Sequence, residues 1–513
     1  MMEKTKTALL AGLVVLSLLQ SYMLAYSMPG IDAVLPRQDY IKTERMGAEA
    51  KVADVVFPED MVLHFGDDKH TVLYPGMNFY NLIFDRVQGR EFKGFQRNNI
   101  YVVDWNKTRE RDIGVELRFG RGVPVELLKE ALKLDGDVAF QSEVINRIWI
   151  YKNIERDEVR TYFFSADGNA VYESVRADLT VNDVQNYVGF GEYWTPYRYA
   201  GDEIYLPEEP LQTLEAIVGY ETYTPEQMQR NLFLDPSETR ALVDRSGSQI
   251  FTDGKRGLQV AQNGKWINYT DPVAGQGSED TLSANIYASV QFINQHGGWD
   301  GLHRYLQPGP IEDMQGQSEQ SIRVVRYQQY YGSYPVIPRK PFMYGQMQLR
   351  LQQGVVSEYE RSLITINKEA EAKQVRWLPG GKELEEAYNS YSRKSEVIAV
   401  FPAMLVSPEE NERLHFEPVW AVRLTDGDKA VLLHALPEDY KPPVKTVKPA
   451  DKGSADKGKE KEKPGKPVPD AGQAPLSSDG SGEKARAGDQ GEGGGKSDGK
   501  DNAAAKDDGK ARR

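Results

Sequence analysis

The only long uncharged apolar run in the chain lies near its start, from Ala8 to Tyr26. A run of about twenty such residues is long enough to cross the hydrocarbon core of a bilayer as one helix. Lys4 and Lys6 precede the run, whereas the next basic residue is Arg37. This asymmetry predicts a cytoplasmic N-terminus and an extracytoplasmic body, in a single-pass protein of the cell membrane. The alternative is a cleaved signal peptide, although the apolar part of such a peptide is usually only about 7–15 residues long.

One face of this predicted helix carries small and polar residues. At about 100° per residue, Ser17, Ser21 and Ala25 fall on one ridge, and Gln20 lies beside it. Small residues allow two helices to approach closely, and an amide at bilayer depth gains by bonding to a partner helix. The pattern therefore predicts a helix–helix contact within the membrane. The alternative is a simple anchor, in which single Ser and Gln residues are also tolerated.

Composition limits the chemistry of the rest of the chain. The 513 residues are 40% hydrophobic, which is enough for two or three folded units. The chain has no cysteine, and this excludes thiol catalysis, a lipid-modified cysteine and cysteine metal sites. Its net charge of −13 argues against a nucleic-acid partner, because neutralising phosphates requires a basic face.

The composition changes abruptly near the C-terminal end. From Lys441 onward, Lys and Arg outnumber Asp and Glu by 17 to 13, and no aromatic residue occurs. Such a segment cannot bury enough apolar area to offset the entropy lost on ordering. Residues 441–513 are therefore expected to form a disordered, solvated tail. A wall-threading or partner-binding tail is the alternative.

Between the apolar run and the tail, the pattern predicts an α+β fold of antiparallel sheets with isolated helices. Turn-forming residues between β-rich runs favour tight hairpins at 66–69, 167–168, 253–254 and 426–427. Apolar residues at helical spacing predict helices at 123–134, 225–233, 284–294 and 382–390.

This pattern divides the chain into seven segments. They are a cytoplasmic N-terminus at 1–7, a transmembrane helix at 8–26, a spacer at 27–50, an N-terminal domain at 51–188, a central domain at 189–310, a C-terminal domain at 311–440 and the tail at 441–513.

No catalytic, cofactor or metal motif is found in the sequence. His64 and His70 lie near the first predicted hairpin and are placed to face each other across it. His296 and His303 flank a Gly-Gly-Trp loop that could in principle bind a metal. Because no carboxylate stands at recognisable ligand spacing, we interpret both pairs as ordinary surface or packing residues. The sequence therefore predicts a protein that is not an enzyme.

A tyrosine-rich run, residues 327–334, has two readings. It is similar to a carbohydrate-stacking strip, and the abundant Asp and Glu leave room for a carboxylate pair that hydrolyses glycosides. A cell-surface glycan-binding or carbohydrate-active protein is therefore the alternative function. Alternating strand positions filled by aromatic residues explain the run equally well, and we favour core packing.

Five segments carry the most specific resemblance to a known family. They are Asn231–Arg240 (NLFLDPSETR), Thr252–Val260 (TDGKRGLQV), Ile267–Pro272 (INYTDP), Arg326–Val336 (RYQQYYGSYPV) and Glu417–Val422 (EPVWAV). Together with the layout of the chain, they resemble the YycH family of Firmicutes over roughly residues 1–440. The motif residues themselves indicate turns and helix ends rather than a reaction, including a helix opened by Pro236, Ser237 and Glu238.

The resemblance implies a regulatory function. Proteins of this family act with the related single-pass protein YycI on the sensor histidine kinase WalK, part of the WalRK two-component system that controls cell-wall metabolism. It also implies that the membrane helices associate and alter the kinase output. The sign of the effect, restraint or activation, stays open.

Overall fold

The computed structural model describes Lys6, Ser17 and residues 45–243, 248–272, 281–307 and 323–442. The predicted membrane helix lies outside these ranges except for Ser17, and the predicted tail lies outside them except for its first two residues. Among the described residues, no helix combines the length and the apolar character needed to cross a bilayer. All of the described residues fall within one compact unit.

Short helices are distributed along the described chain. The α-helices are α1 Val52–Val55, α2 Asn78–Gln88, α3 Trp105–Arg111, α4 Val125–Ala131, α5 Val138–Gln141, α6 Val181–Gly189, α7 Pro225–Leu232, α8 Leu282–Gln295 and α9 Gly381–Asn389. Single 3₁₀ turns occupy Ile100–Val102, Pro236–Glu238 and Lys394–Glu396.

Strands make up the larger part of the ordered elements. The first ten are β1 Asp60–Phe65, β2 His70–Leu73, β3 Glu91–Asn99, β4 Ile113–Pro124, β5 Lys133–Asp135, β6 Val144–Asn153, β7 Glu158–Ser165, β8 Ala170–Ala177, β9 Tyr197–Tyr199 and β10 Tyr205–Pro207. The others are β11 Leu211–Thr222, β12 Arg240–Val243, β13 Gln249–Thr252, β14 Gly257–Ala261, β15 Trp266–Thr270, β16 His303–Leu306, β17 Val324–Tyr331, β18 Tyr334–Pro338, β19 Gln346–Gln352, β20 Val355–Ser362, β21 Ile364–Ile366, β22 Ala372–Leu378, β23 Val397–Glu409, β24 Arg413–Leu424 and β25 Lys429–His434.

The strands form two hydrogen-bonded systems. Within the described ranges, the first has the order β10-β9-β2-β1-β4-β6-β7-β8-β3-β5. The second has the order β12-β13-β14-β15-β20-β19-β17-β18-β23-β24-β11-β21. Three further strands pair with members of this series: β16 with β17, β22 with β11 and β25 with β24. Pairing is mainly antiparallel, whereas β3 with β5 and β18 with β23 are parallel. The predicted α+β class is thus confirmed, while the three domain limits stay predictions.

Local sequence signals account for most of these elements. All four predicted hairpin turns are present, between β1 and β2, β7 and β8, β13 and β14, and β24 and β25. Helix α7 begins with a reciprocal cap: Thr224 Oγ1 accepts from the amide of Gln227 at 3.2 Å, and Gln227 Oε1 accepts from the amide of Thr224 at 2.8 Å. Pro225 follows in the first turn, where its missing amide hydrogen costs nothing.

Two helix predictions need correction. The run 123–134 is helical only from Val125 to Ala131. Pro124 is the last residue of β4 and occupies the N-cap position of the helix rather than its first turn. The residues Pro236–Glu238 form one 3₁₀ turn and then lead into β12 rather than into a helix. In both places the adjoining strand pairing prevails over the local helix signal.

The largest hydrophobic core joins distant parts of the sequence. It contains Ile83 from α2 and Val115 from the first strand system together with Ile286 from α8 and Tyr327 from β17. All four side chains are buried. Residues 52–60 run along the part of this core where the two halves of the chain meet. The polar groups of Phe57 and Glu59 therefore lie beside polar groups of the C-terminal half.

Candidate functional site

The first polar cluster is centred on the β1–β2 hairpin. His64 and His70 are direct partners in the strand register, as predicted, and their Nδ1 atoms are 3.1 Å apart. Both side chains are buried rather than on the surface. Nε2 of His64 lies 3.3 Å from Glu116 Oε2, and Nε2 of His70 lies 3.1 Å from Asp68 Oδ1.

These three contacts require three protons for full hydrogen bonding, but two neutral imidazole rings supply only two. Burial lowers the pKa of both rings, for His70 to about 4 with a further contribution from the neighbouring His64. The pair is therefore neutral near pH 7, and one of its three contacts lacks a proton. The arrangement can take up one proton, at the cost of burying a positive charge.

Arginine residues neutralise the carboxylates around the histidine pair. Arg147 Nη1 lies 3.1 Å from Glu116 Oε1 and 2.6 Å from Glu203 Oε2. Arg109 Nη2 also donates to Glu203, at 3.0 Å. Burial opposes ionisation of Glu116, but Arg147 and His64 hold the pKa of this carboxyl well below its usual value of 4.5. Glu116 and Glu203 in this cluster are thus paired with arginine side chains of the same chain.

Aromatic side chains close the same cluster against solvent. Trp149 stacks on His64 with ring centroids 5.0 Å apart, and Trp105 stacks on the other side of Trp149 at 5.7 Å. The Arg109 guanidinium lies 3.9 Å from the centre of the Tyr199 ring. Such cation–π contacts add stabilisation where the cation is shielded from water.

A second polar cluster joins the two halves of the chain. Glu59, just before β1, accepts from Arg304 Nη1 at 2.9 Å, and Arg423 reaches both of its oxygens, at 2.8 and 3.0 Å. Arg304 Nε also donates to the carbonyl of Phe57 at 2.7 Å. Burial alone would raise the pKa of Glu59, but the two guanidinium groups lower it to about 2. Glu59 thus remains ionised and fixes the start of β1 to β16 and β24.

A third cluster surrounds Arg361 in β20, whose side chain is buried. Its Nη1 donates to the carbonyl of Gly298 at 2.7 Å, and its Nη2 lies 3.3 Å from Asp300 Oδ1. His303 Nε2 lies 3.5 Å from the same Asp300 oxygen. A cavity of about 10 Å³ beside these groups has the size of one water molecule.

The two histidines around the Gly-Gly-Trp loop have different partners. Nδ1 of His296 lies 2.5 Å from the carbonyl oxygen of Asn231, whereas His303 contacts Asp300 and the carbonyl of Gly301. Within the described ranges, no group of three or more His, Cys, Asp or Glu side chains is placed to hold a metal ion.

The tyrosine-rich run is part of the core, as favoured. Tyr327, Tyr330 and Tyr334 are buried, and Tyr331 stacks on Phe416 with centroids 4.2 Å apart. A stacking surface for sugars requires exposed ring faces, and these rings do not provide one.

An open surface groove of about 210 Å³ lies between α3 and the β6–β7 hairpin. Its carboxylates already have partners: Asp112 accepts from the amide of Ile154 at 2.9 Å, and Glu155 accepts from Lys107 Nζ at 2.9 Å. Asp104 caps α3 through the amide of Lys107 at 3.1 Å. The groove thus gives no support to a glycoside-cleaving pair.

Of the four residues predicted to contact another membrane helix, Ser17 alone is among the described residues, where it is helical and exposed. Gln20, Ser21 and Ala25 lie outside the described residues. The contact stays a prediction.

Two family models match the chain in sequence order. The model of the YycH protein, N-terminal domain, matches residues 3–189, and that of the YycH protein, C-terminal domain, matches residues 201–438. The chain belongs to the YycH family. The resemblance found in the sequence is thereby confirmed, over nearly the span predicted for it.

A solved structure agrees with this assignment of the fold. The crystal structure of YycH from Bacillus subtilis matches with a TM-score of 0.59 and 17% identity, covering 76% of this chain and 99% of that chain. At this identity the likeness shows a shared fold alone. An uncharacterized protein from Eubacterium rectale gives a TM-score of 0.27 at 9% identity, over 50% of this chain and 91% of that chain, which is too low to support an argument. No curated protein matches the chain.

Several residues that organise this YycH-family fold carry no signal in the sequence. Glu59 meets Arg304 across 245 positions and Arg423 across 364. Neither spacing nor a local motif indicates such a pairing, since isolated Glu and Arg residues are usually solvated. The sequence places these three residues in or beside β-rich runs. This predicts that they belong to strands, but it does not indicate which residues pair with each other.

The buried histidines make the stability of this YycH-family protein sensitive to mild acid. Burial lowers the pKa of His64 and His303, and lowers that of His70 and His296 to about 4. The stability that these histidines contribute is complete above about pH 6.5 and decreases below it, for His70 and His296 as the pH falls towards 4, because the unfolded chain then binds more protons than the folded chain. Each such histidine contributes at most about 1.4 kcal/mol per pH unit.

Urea unfolding of the full-length chain at pH 7.5 and 5.5 tests this prediction. We expect a lower midpoint at pH 5.5, and a smaller difference between the two midpoints for His70→Gln. His434→Gln, the same change at an exposed position, serves as the control. Equal midpoints at the two pH values would contradict the prediction.

Proposed function

We propose that this chain is a membrane-anchored, non-enzymatic regulator of the WalK (YycG) sensor histidine kinase. It acts together with a YycI-like protein and tunes WalRK control of cell-wall metabolism. The observation that carries the proposal is the match to both YycH domains across residues 3–189 and 201–438. Membership of this family suggests a regulator of the kinase system rather than an enzyme.

The proposed mechanism uses the apolar segment at residues 8–26. Its helix crosses the membrane with the N-terminus in the cytoplasm, and Ser17, Gln20, Ser21 and Ala25 contact a partner helix. A coupling of about 1–3 kcal/mol between helix association and the state of the kinase corresponds to about a 5–150-fold shift in equilibrium. A contact of modest strength is therefore sufficient.

The internal pairing of the three polar clusters supports this reading. Glu116, Glu59 and Asp300 each face arginine side chains of the same chain. Charged groups used in this way fix the shape of the body. A body of fixed shape suits a protein that works by contact with other proteins.

Substitution of the predicted helix face tests the mechanism. We expect replacement of Ser17, Gln20, Ser21 and Ala25 together by Leu to shift WalR-dependent transcription to the level of a deletion strain, because close helix approach is lost. The control replaces Val15, Leu19 and Met23 by other aliphatic residues; these lie on the opposite side at the same 100° spacing. Surface expression is matched by immunoblotting. Transcription that stays at the wild-type level in the four-residue variant would refute the helix contact.

A further inference from the structure

Residues 47–50, which precede the first strand system in sequence, are bonded to the C-terminal half of the body. The amide of Gly47 donates to the carbonyl of Gly297 at 3.1 Å, and Ala48 and Trp299 exchange backbone hydrogen bonds of 3.1 and 2.8 Å. This contact between residues 47–50 and residues 294–300 is called the clamp below. It lies about twenty residues after the predicted membrane helix.

A single amide side chain completes the clamp. Asn294, near the end of α8, accepts from the amide of Ala50 at 3.0 Å and donates to the carbonyl of Ala50 at 2.8 Å. Its Oδ1 also accepts from Trp299 Nε1 at 2.8 Å. The side chain of Asn294 therefore bonds to both backbone polar groups of Ala50, as a neighbouring strand would. It also holds the loop that contains Trp299.

The two backbones of the clamp are in direct contact. A Cβ on Gly47 would lie 1.9 Å from the carbonyl oxygen of Trp299. A Cβ on Gly298, whose φ is +76°, would lie 2.5 Å from the carbonyl oxygen of Gly47. Both distances are far below contact distance, so the close approach requires glycine at both positions.

The buried Arg361 also holds residues 294–300 of the clamp, because it bonds to the carbonyl of Gly298 and pairs with Asp300. Beyond the clamp, the chain is fixed again where Arg304 bonds to Phe57 and Glu59. The segment leading from the membrane side thus contacts the C-terminal half before it enters β1. Coupling between distant sites is carried by such contiguous hydrogen-bonded and packed groups.

We propose that the clamp couples the C-terminal half of the body to the membrane-side segment, and that Asn294 is the positioning residue of this coupling. A partner that binds the C-terminal half then acts on residues 47–50 directly, without passing through the first strand system. The proposal rests on the proposed function, because the segment before Gly47 must lead to a regulatory membrane helix.

The isosteric substitution Asn294→Asp tests the clamp. It keeps the acceptor for Ala50 and Trp299 but places a carboxylate oxygen against the carbonyl of Ala50. We expect hydrogen exchange of the amides at residues 47–50 in the full-length chain to accelerate about tenfold, the effect of losing one hydrogen bond. WalR-dependent transcription should shift towards the level of a deletion strain. Gln295→Glu makes the same charge change at the next, exposed position and should alter neither readout.

The outcomes separate the clamp from the proposed function. The first case is a strain background in which deletion of the gene changes transcription. If Asn294→Asp accelerates exchange there but leaves transcription at the wild-type level, the clamp is structural only and the inference is overturned. If Asn294→Asp leaves exchange unchanged, Gly47→Val opens the clamp by steric overlap, and the same transcription readout decides. Unchanged transcription in the deletion strain itself would instead refute the proposed function, and the coupling with it.

Discussion

Replacing Glu59 with Gln is expected to lower the free energy of unfolding by about 3–5 kcal/mol, the range found when one partner of a buried ion pair is removed. Arg304 and Arg423 are only 2% and 5% exposed, and both direct their guanidinium groups at this carboxylate. Without its charge, two cations remain buried with no compensating anion. Water cannot replace the lost partner unless the junction between the two halves opens.

Urea unfolding of the full-length chain measures this effect, and Glu49→Gln provides the matched control. Glu49 pairs with Arg45 at the surface, where both side chains are about half exposed, so its loss should cost at most about 1 kcal/mol. The low pKa of Glu59, about 2, means that its contribution is present above about pH 4.5 and is lost as the pH falls towards 2. The free energy of unfolding of Glu59→Gln should therefore fall less steeply than that of the wild type as the pH is lowered from about 4.5 towards 2. Equal losses for the two substitutions would contradict the assignment of Glu59 as the central anion.

Features that depend on neighbours in sequence could be predicted from the chain alone. The turn at Asp253-Gly254 forms because Gly254 adopts a φ of +89°, which glycine reaches without strain. Helix α7 forms because Thr224, Pro225 and Gln227 supply its first turn. His64 and His70 face each other because a hairpin of known turn length fixes the register of its strands.

Features that depend on distant neighbours could not be predicted in the same way. The burial of His64 follows from Trp149 and Glu116, which reach it from other strands of the sheet. The parallel pairing of β18 with β23 joins residues nearly seventy positions apart. No periodicity in the sequence records which strand will lie beside which, since the alternation of side chains indicates a face and not a partner.

The family motifs have a structural meaning that the sequence indicated only in part. The tyrosine-rich segment packs Tyr327 into the large core, and Glu417–Val422 lies within β24. Trp420 in that segment is fully buried, and its Nε1 donates to the carbonyl of Pro379 at 2.8 Å. Its position in a strand that pairs on both sides makes this motif a feature of folding rather than of binding.

Trp420→Ala is therefore expected to destabilise the chain by about 3–5 kcal/mol, through lost burial and the cavity that remains. Trp194→Ala removes the same side chain at a position that is 36% exposed and should cost less than half as much. Urea unfolding of the full-length variants measures both. A similar loss in the two variants would contradict the expectation that the full burial of Trp420 makes it the more costly to remove.

Two Phe substitutions separate the hydrogen bond from the packing. Trp420→Phe leaves the buried carbonyl of Pro379 without its indole donor, whereas the indole nitrogen of the buried Trp149 has no hydrogen-bond partner to lose. An unsatisfied buried acceptor costs about 1–3 kcal/mol, so Trp420→Phe should destabilise the chain more than Trp149→Phe by about that amount. If Trp149→Phe proves the more costly, the ring packing around His64 outweighs the indole bond in β24.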